Sequence, residues 1–172
     1  NVFLFSESIA ENMRFGLGQL DEEEIRLALD IAQIKEEVYE LPLQTLTPLG
    51  EKGITLSGGQ KQRLALARAI LRKPKVLLLD DCFSAVDVEV ERKIIDSFFS
   101  QIQEMTVLFA SHRLSVMARM DEVWVFDEGN IVERGSHSHL LQVSPLYQQL
   151  WSQSERELER DKLGLIEGDV IL

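Results

Sequence analysis

Apolar positions along this chain switch between helical and strand-like spacing, and each switch marks an element. Ile25, Ala28, Leu29 and Ala32 recur at three- and four-residue steps, so they share one face of a helix that opens at Asp21, with Glu24 placed for a capping box. Ser57 is a good N-cap, and from Gln60 to Arg72 the residues are strong helix formers. Residues 76–79 are a short apolar run behind Lys73-Pro74-Lys75, long enough for a strand buried on both faces and too short for a helix of its own. Asp87 caps a further helix, whose Ile94, Ile95, Phe98, Phe99 and Ile102 repeat at helical spacing as a core stripe. Residues 106–110 read as a second buried strand. Glu122-Val123-Trp124-Val125-Phe126 and Ile131-Val132-Glu133-Arg134 read as two more, joined through the hairpin signal Glu128-Gly129-Asn130. Ser144-Pro145 opens a helix with Tyr147, Leu150 and Trp151 facing inward, and Trp124 is also expected to pack. Polarity dominates from Ser152 onward, and residues 163–172 are too short and mixed to assign.

Helices and strands alternating after residue 57 predict an α/β class, with a mainly parallel sheet flanked by helices and an N-terminal helical subdomain. With 172 residues, 45% of them hydrophobic and 27% charged, the chain is sized for one domain that buries most of its core. Its apolar runs are strand-sized, far below the roughly 18 residues of a transmembrane helix, so no membrane span is expected in this chain. The formal charge of −11 argues against a nucleic-acid surface, which needs clustered Lys and Arg. The acidity at residues 21–24 and 155–161 reads as solvated helix faces. The one cysteine, Cys82, forms no intrachain disulfide and is expected to pack as a buried thiol in a reducing compartment. His137 and His139 read as part of a loop or helix cap rather than a metal site, and Arg63 and Arg68 as makers of structural ion pairs.

Candidate chemistry gathers in two places. At Ser57-Gly58-Gly59-Gln60 a glycine pair opens a helix, so free N–H groups and the positive end of the helix dipole can face an anion such as phosphate. At Asp80 an apolar strand ends in a carboxylate, where ligands bind in open α/β sheets and where Mg²⁺ can be held.

These runs resemble motifs of the ABC ATPases. Leu56-Ser57-Gly58-Gly59-Gln60 is similar to the signature motif, residues 76–80 to a Walker B strand, Ser84-Ala85-Val86-Asp87 to the D-loop, and Ser111-His112-Arg113-Leu114-Ser115 to the H-loop, or switch histidine. Thr47-Pro48-Leu49-Gly50-Glu51-Lys52-Gly53 resembles the X-loop of exporters, and Asn1-Val2-Phe3-Leu4-Phe5-Ser6 with Ile9-Ala10-Glu11-Asn12-Met13 resembles the exporter segment just past the Q-loop glutamine. No Gly-x-x-x-x-Gly-Lys-[Ser/Thr] run is present, so the Walker A loop that cradles the α- and β-phosphates is missing and the chain is expected to be a C-terminal piece of the domain, inactive alone. The resemblance divides the chain into residues 1–72, a helical subdomain with the X-loop and signature helix; 73–151, the C-terminal part of a P-loop NTPase-like core; and 152–172, a polar tail.

What the resemblance implies is the ATP-binding and ATP-hydrolysing domain of an exporter-type ABC transporter, on the cytoplasmic face of the plasma (inner) membrane, with ATP and Mg²⁺ as cofactors. Its partners would be a transmembrane domain and a second ABC ATPase domain, facing it head to tail. Ser57, Gly58, Gly59 and Gln60 would clamp the γ-phosphate of the partner's ATP, and Asp87 would reach across the interface. Asp80 would organise Mg²⁺, while Asp81 and His112 would be the catalytic pair at the chain's own nucleotide. The family has glutamate where this chain has Asp81, and one methylene fewer withdraws the carboxylate by about 1.5 Å. The chain's own site is therefore expected to hydrolyse slowly, as in heterodimeric exporters with one degenerate site. The alternatives are a non-transport ABC ATPase and a non-catalytic interaction fragment.

Overall fold

A computed structural model describes residues 2–18, 20–50, 53–101, 105–111 and 113–162, which form two compact units, residues 1–110 and 111–172. In the first unit, helices α1 (Ile9–Arg14), α2 (Glu22–Ile31), α3 (Lys35–Tyr39) and α4 (Gly58–Leu71) lead into strand β1 (Val76–Asp80), helix α5 (Val88–Gln101) and strand β2 (Thr106–Ala110). α2 and α1 both pack on α4. The predicted stripe of α2 is the reason: Ile25, Ala28, Leu29 and Ala32 are all buried, as are Leu64, Ala67 and Leu71 of α4. Each fully buried leucine contributes about 1.5–3 kcal/mol relative to an exposed one.

The helix at Asp21 starts as expected, but not through a capping box. Asp21 accepts from the Glu23 N–H rather than from that of Glu24, while the Glu24 carboxylate, beside the Asp21 N–H, makes its strongest bond to Lys73 Nζ at 2.7 Å. An oppositely charged ammonium beyond α4 is a better partner than a neutral amide. The other acidic residues there are engaged too, with Glu22 accepting from Tyr39 and Thr45, and Glu23 from Arg26.

β1 and β2 are parallel, in the register Val76↔Thr106 to Asp80↔Ala110, with α5 as the crossover. This gives the small parallel sheet that the spacing predicts. Burial on both faces does not follow: along β1 only Leu77 and Leu79 are buried, while Val76 and Leu78 are 54% and 70% exposed. In β2, Leu108 is exposed as well. A two-stranded sheet covered on one face leaves its alternate side chains open whatever their polarity, because side chains alternate between faces. On α5, Ile94, Ile95 and Phe98 are buried and Phe99 is exposed, its ring edge-on to Phe98; Ile102 lies outside the described residues.

In the second unit, β3 (Val123–Asp127) and β4 (Asn130–Gly135) form the predicted antiparallel hairpin. Its two-residue turn, Glu128-Gly129, has positive φ at both positions, +45° and +78°. Such a turn matches the right-handed twist of the strands, and Gly129 takes it without strain. Val123 and Val125 point into the unit with Leu140 and Tyr147, whereas Trp124, Phe126, Ile131 and Val132 are exposed. The period of two sends Trp124 to the open face between the buried valines. Helix α6 (His137–Val143) and helix α7 (Pro145–Lys162) follow. Tyr147 is buried and hydrogen-bonds His137 Nδ1 at 2.9 Å, but Leu150, three residues on, is exposed. His137 opens α6 behind the Ser136 cap and stacks against Trp151. Among the described residues, no helix is long and apolar enough to cross a membrane.

Candidate nucleotide site

The start of α4 is fixed by its own residues. Ser57 Oγ accepts from the Gln60 N–H at 3.2 Å, and Gln60 Oε1 accepts from the Ser57 N–H at 2.8 Å, a complete capping box. Gly58 and Gly59 occupy the first two helical positions, where N–H groups have no acceptor within the helix. Those two amides, at the positive end of a 14-residue helix, are the anion-directed groups of the signature-like run.

A close contact adds a second reason for glycine here. A Cβ on Gly59 would lie 2.5 Å from the Ala85 carbonyl oxygen. The D-loop-like segment thus sits on the helix start, and Gln62 fastens it: Nε2 donates to Ser84 Oγ at 2.8 Å and Oε1 accepts from the Ala85 N–H at 2.9 Å. Asp87 caps α5, its carboxylate accepting from the Glu89 N–H at 2.8 Å.

β1 delivers Asp80 to the C-terminal edge of the sheet, opposite Ala110. Asp81, the next residue, turns the chain with φ +44°, and its N–H donates to the Ala110 carbonyl at 2.9 Å. Aspartate tolerates this left-handed conformation better than most residues. Among the described residues, neither carboxylate forms an ion pair or side-chain hydrogen bond within the chain. Gly58, Asp80 and Asp81 line one open groove of about 880 Å³, together with Ser84 and Ala85. The anion-directed helix start and the acidic strand end are therefore brought together, while Asp87 stays at the cap of α5. His112 lies outside the described residues. Cys82, also on the groove, is half-buried rather than fully enclosed, and burial pushes its thiol up to about 12.

The carboxylates suit Mg²⁺. Among the described residues no cluster of three or more His, Cys, Asp or Glu could form an all-protein cage. Mg²⁺ in phosphate chemistry needs only one or two protein carboxylates, the rest of its shell coming from phosphate and water. Asp80 would supply one, leaving Asp81 for the water.

Gln62 and Glu37 carry contacts that spacing along the chain does not signal, because their partners are 22 to 23 residues away. Arg63 makes the expected ion pair, to Glu37 at 2.6 Å. Arg68 does not: it donates to the Phe3 carbonyl, and Arg72 likewise to that of Phe15, so both hold backbone of the N-terminal segment. The X-loop-like segment closes as Leu49 bridges Ile54, with Glu51 and Lys52 outside the described residues.

A βαβ unit whose acidic strand end shares a groove with a glycine-opened helix defines an α/β nucleotide-binding domain. Residues 1–84 match the family model described as ABC transporter. An ATP-dependent lipid A-core flippase of Bordetella avium (strain 197N) is 41% identical over 158 residues, 91% of this chain and 27% of that protein. The ABC transporter ATP-binding protein YfiB of Bacillus subtilis (strain 168) is 40% identical over 157 residues, again 91% of this chain and 27% of that protein. The solved structure of a bacterial Atm1-family ABC exporter with ATP bound matches with a TM-score of 0.81 at 35% identity, covering 87% of this chain and 26% of that one. The chain belongs to the ABC transporter family, as part of an exporter-type ATP-binding domain, and it spans about a quarter of the length of the curated relatives it matches.

Proposed function

We propose that this chain contributes to two nucleotides in an ABC exporter: Ser57, Gly58, Gly59 and Gln60 to the ATP of a partner ATPase domain, and Asp80, Asp81 and His112 to its own. The observation that supports this reading is that the molecule presents two groups of opposite preference, the Gly58 and Gly59 N–H groups at the start of α4 for an anion and, at the end of β1, the Asp80 and Asp81 carboxylates, which have no side-chain partner among the described residues. Asp80 would hold Mg²⁺, which supplies charge neutralisation of the phosphates when bound. Asp81 would orient the attacking water, and Asp87 would extend from the α5 cap toward the partner. In the whole protein the domain would hydrolyse ATP at the cytoplasmic face of the plasma (inner) membrane, coupled to a transmembrane domain. Without a Walker A run, the chain alone would be inactive.

Asp81 makes the own site the slower of two, in a heterodimer whose second site is completed by this chain's intact signature. A misplacement of about 1 Å costs on the order of a hundredfold in rate. The test is Asp81→Glu in the full-length transporter with its partner, measuring ATPase rate and melting temperature together. Glutamate at φ +44° costs about 1–2 kcal/mol of backbone strain, so the melting temperature should fall slightly while the rate rises at least tenfold. A folded variant with no gain in rate would remove the degenerate-site reading.

A further inference from the structure

Gln60 is held from outside its own helix. Its Nε2 donates to Glu37 Oε2 at 2.8 Å, while its Oε1 is committed to the Ser57 N–H. Glu37 is on α3, and its other oxygen accepts from Arg63 Nη1 at 2.6 Å. Arg63, only 11% exposed, also donates from Nη1 to the Gln33 carbonyl. Gln33 sits at the α2–α3 corner with φ +52°, and its Nε2 donates to Ser97 Oγ of α5 at 3.1 Å. An unbroken polar path thus runs from the cap of α4, through the α2–α3 corner, to the helix that follows the D-loop-like segment.

We propose that Glu37 is a positioning residue for the nucleotide-facing start of α4: by fixing the Gln60 amide and Arg63 together, it sets the direction in which the Gly58 and Gly59 amides point. This rests on the reading that those amides meet a partner-held ATP. The Gln60 side chain is the longer of the two in the capping box, and with Nε2 released its amide can rotate, freeing the Ser57 N–H and loosening the first turn. Glu37 is suited to the task because it stays ionised: burial acts to raise its pKa, but hydrogen bonds from Arg63 and Gln60 outweigh that and hold it below the ordinary glutamate range. Hydrogen bonds to a charged group are the stronger kind.

The test uses the full-length transporter with its partner, and reads KM for MgATP, kcat and melting temperature. Glu37→Ala should raise KM about five- to tenfold with kcat changed less than twofold, and Glu37→Gln, which retains one acceptor for Arg63, about twofold. In a double-mutant cycle, Glu37→Ala on a Gln60→Ala background should add no further rise in KM. Unchanged KM in a folded Glu37→Ala variant, additive effects in the cycle, or a lowered melting temperature with KM intact would each overturn the proposal. Gly58→Val serves as the reference for the underlying reading. If it raises KM while Glu37→Ala is silent, only the positioning role falls; if it leaves KM unchanged, or the full-length protein hydrolyses no MgATP, both fall.

Discussion

At the start of α4, Ser57, Gln60 and Gln62 are each engaged by the protein itself, whereas at the end of β1 it is the backbone of Asp81, not its carboxylate, that is held. The two places line one groove, yet the first is a rigid frame and the second presents charge. A helix start that faces phosphate works through backbone N–H groups, whose direction depends on the helix, so fixing the frame is what matters. A carboxylate that faces a cation must keep its lone pairs for the cation, and internal hydrogen bonds would compete for them.

Substitutions at the two places should therefore separate stability from activity. The largest structural effect is expected from Gly59→Ala, because the added Cβ meets the Ala85 backbone oxygen at 2.5 Å and backbone yields poorly. About 1–3 kcal/mol of destabilisation should appear in denaturant unfolding of the full-length protein, against little change for Gly58→Ala, whose Cβ meets only the Ala85 methyl at 3.3 Å. Equal effects at the two glycines would break the claim that the helix start is a frame packed on the D-loop-like segment. Next comes Ser57→Ala, which removes one side of the capping box and should cost about 1 kcal/mol, with Ser57→Asp restoring most of it. The smallest shift in stability should follow Asp80→Asn and Asp81→Asn, within about 0.5 kcal/mol, asparagine accepting the left-handed turn at 81 as readily as aspartate. For Asp80→Asn, ATP hydrolysis at this chain's own site should nevertheless be lost. A large fall in stability for either variant would show that the carboxylates are structural after all.

Much of this was legible along the chain. The Ser57 cap, the buried stripe Ile25, Ala28, Leu29 and Ala32, the β1–α5–β2 succession and the Glu128-Gly129 turn are all set by residues within a few positions of one another. Where a nearby residue had a better partner farther away, local reasoning failed. Glu24 is spaced for a capping box but makes its strongest bond to Lys73, 49 residues on, and the box is left half-formed. Trp124, Phe99 and Leu150 are apolar and fit a core pattern, yet the elements that carry them have one covered face and these side chains lie off it. The open face of β1 follows in the same way from which neighbours are present, not from the run 76–79, whose composition suits burial on both sides.

The sequence by itself determined the kinds of elements, the residue types at the helix start and strand end, and through them the family, because caps, turns and periodicity act over one or two turns of chain. Tertiary structure alone decided that Gly58, Asp80 and Asp81 share a groove, that Gly59 is pressed by Ala85, and that Glu37 reaches from another helix to hold both Gln60 and Arg63. Those relations join residues 20 or more positions apart, and a hydrogen bond or a steric limit between such residues exists only once the chain has folded them within about 3 Å.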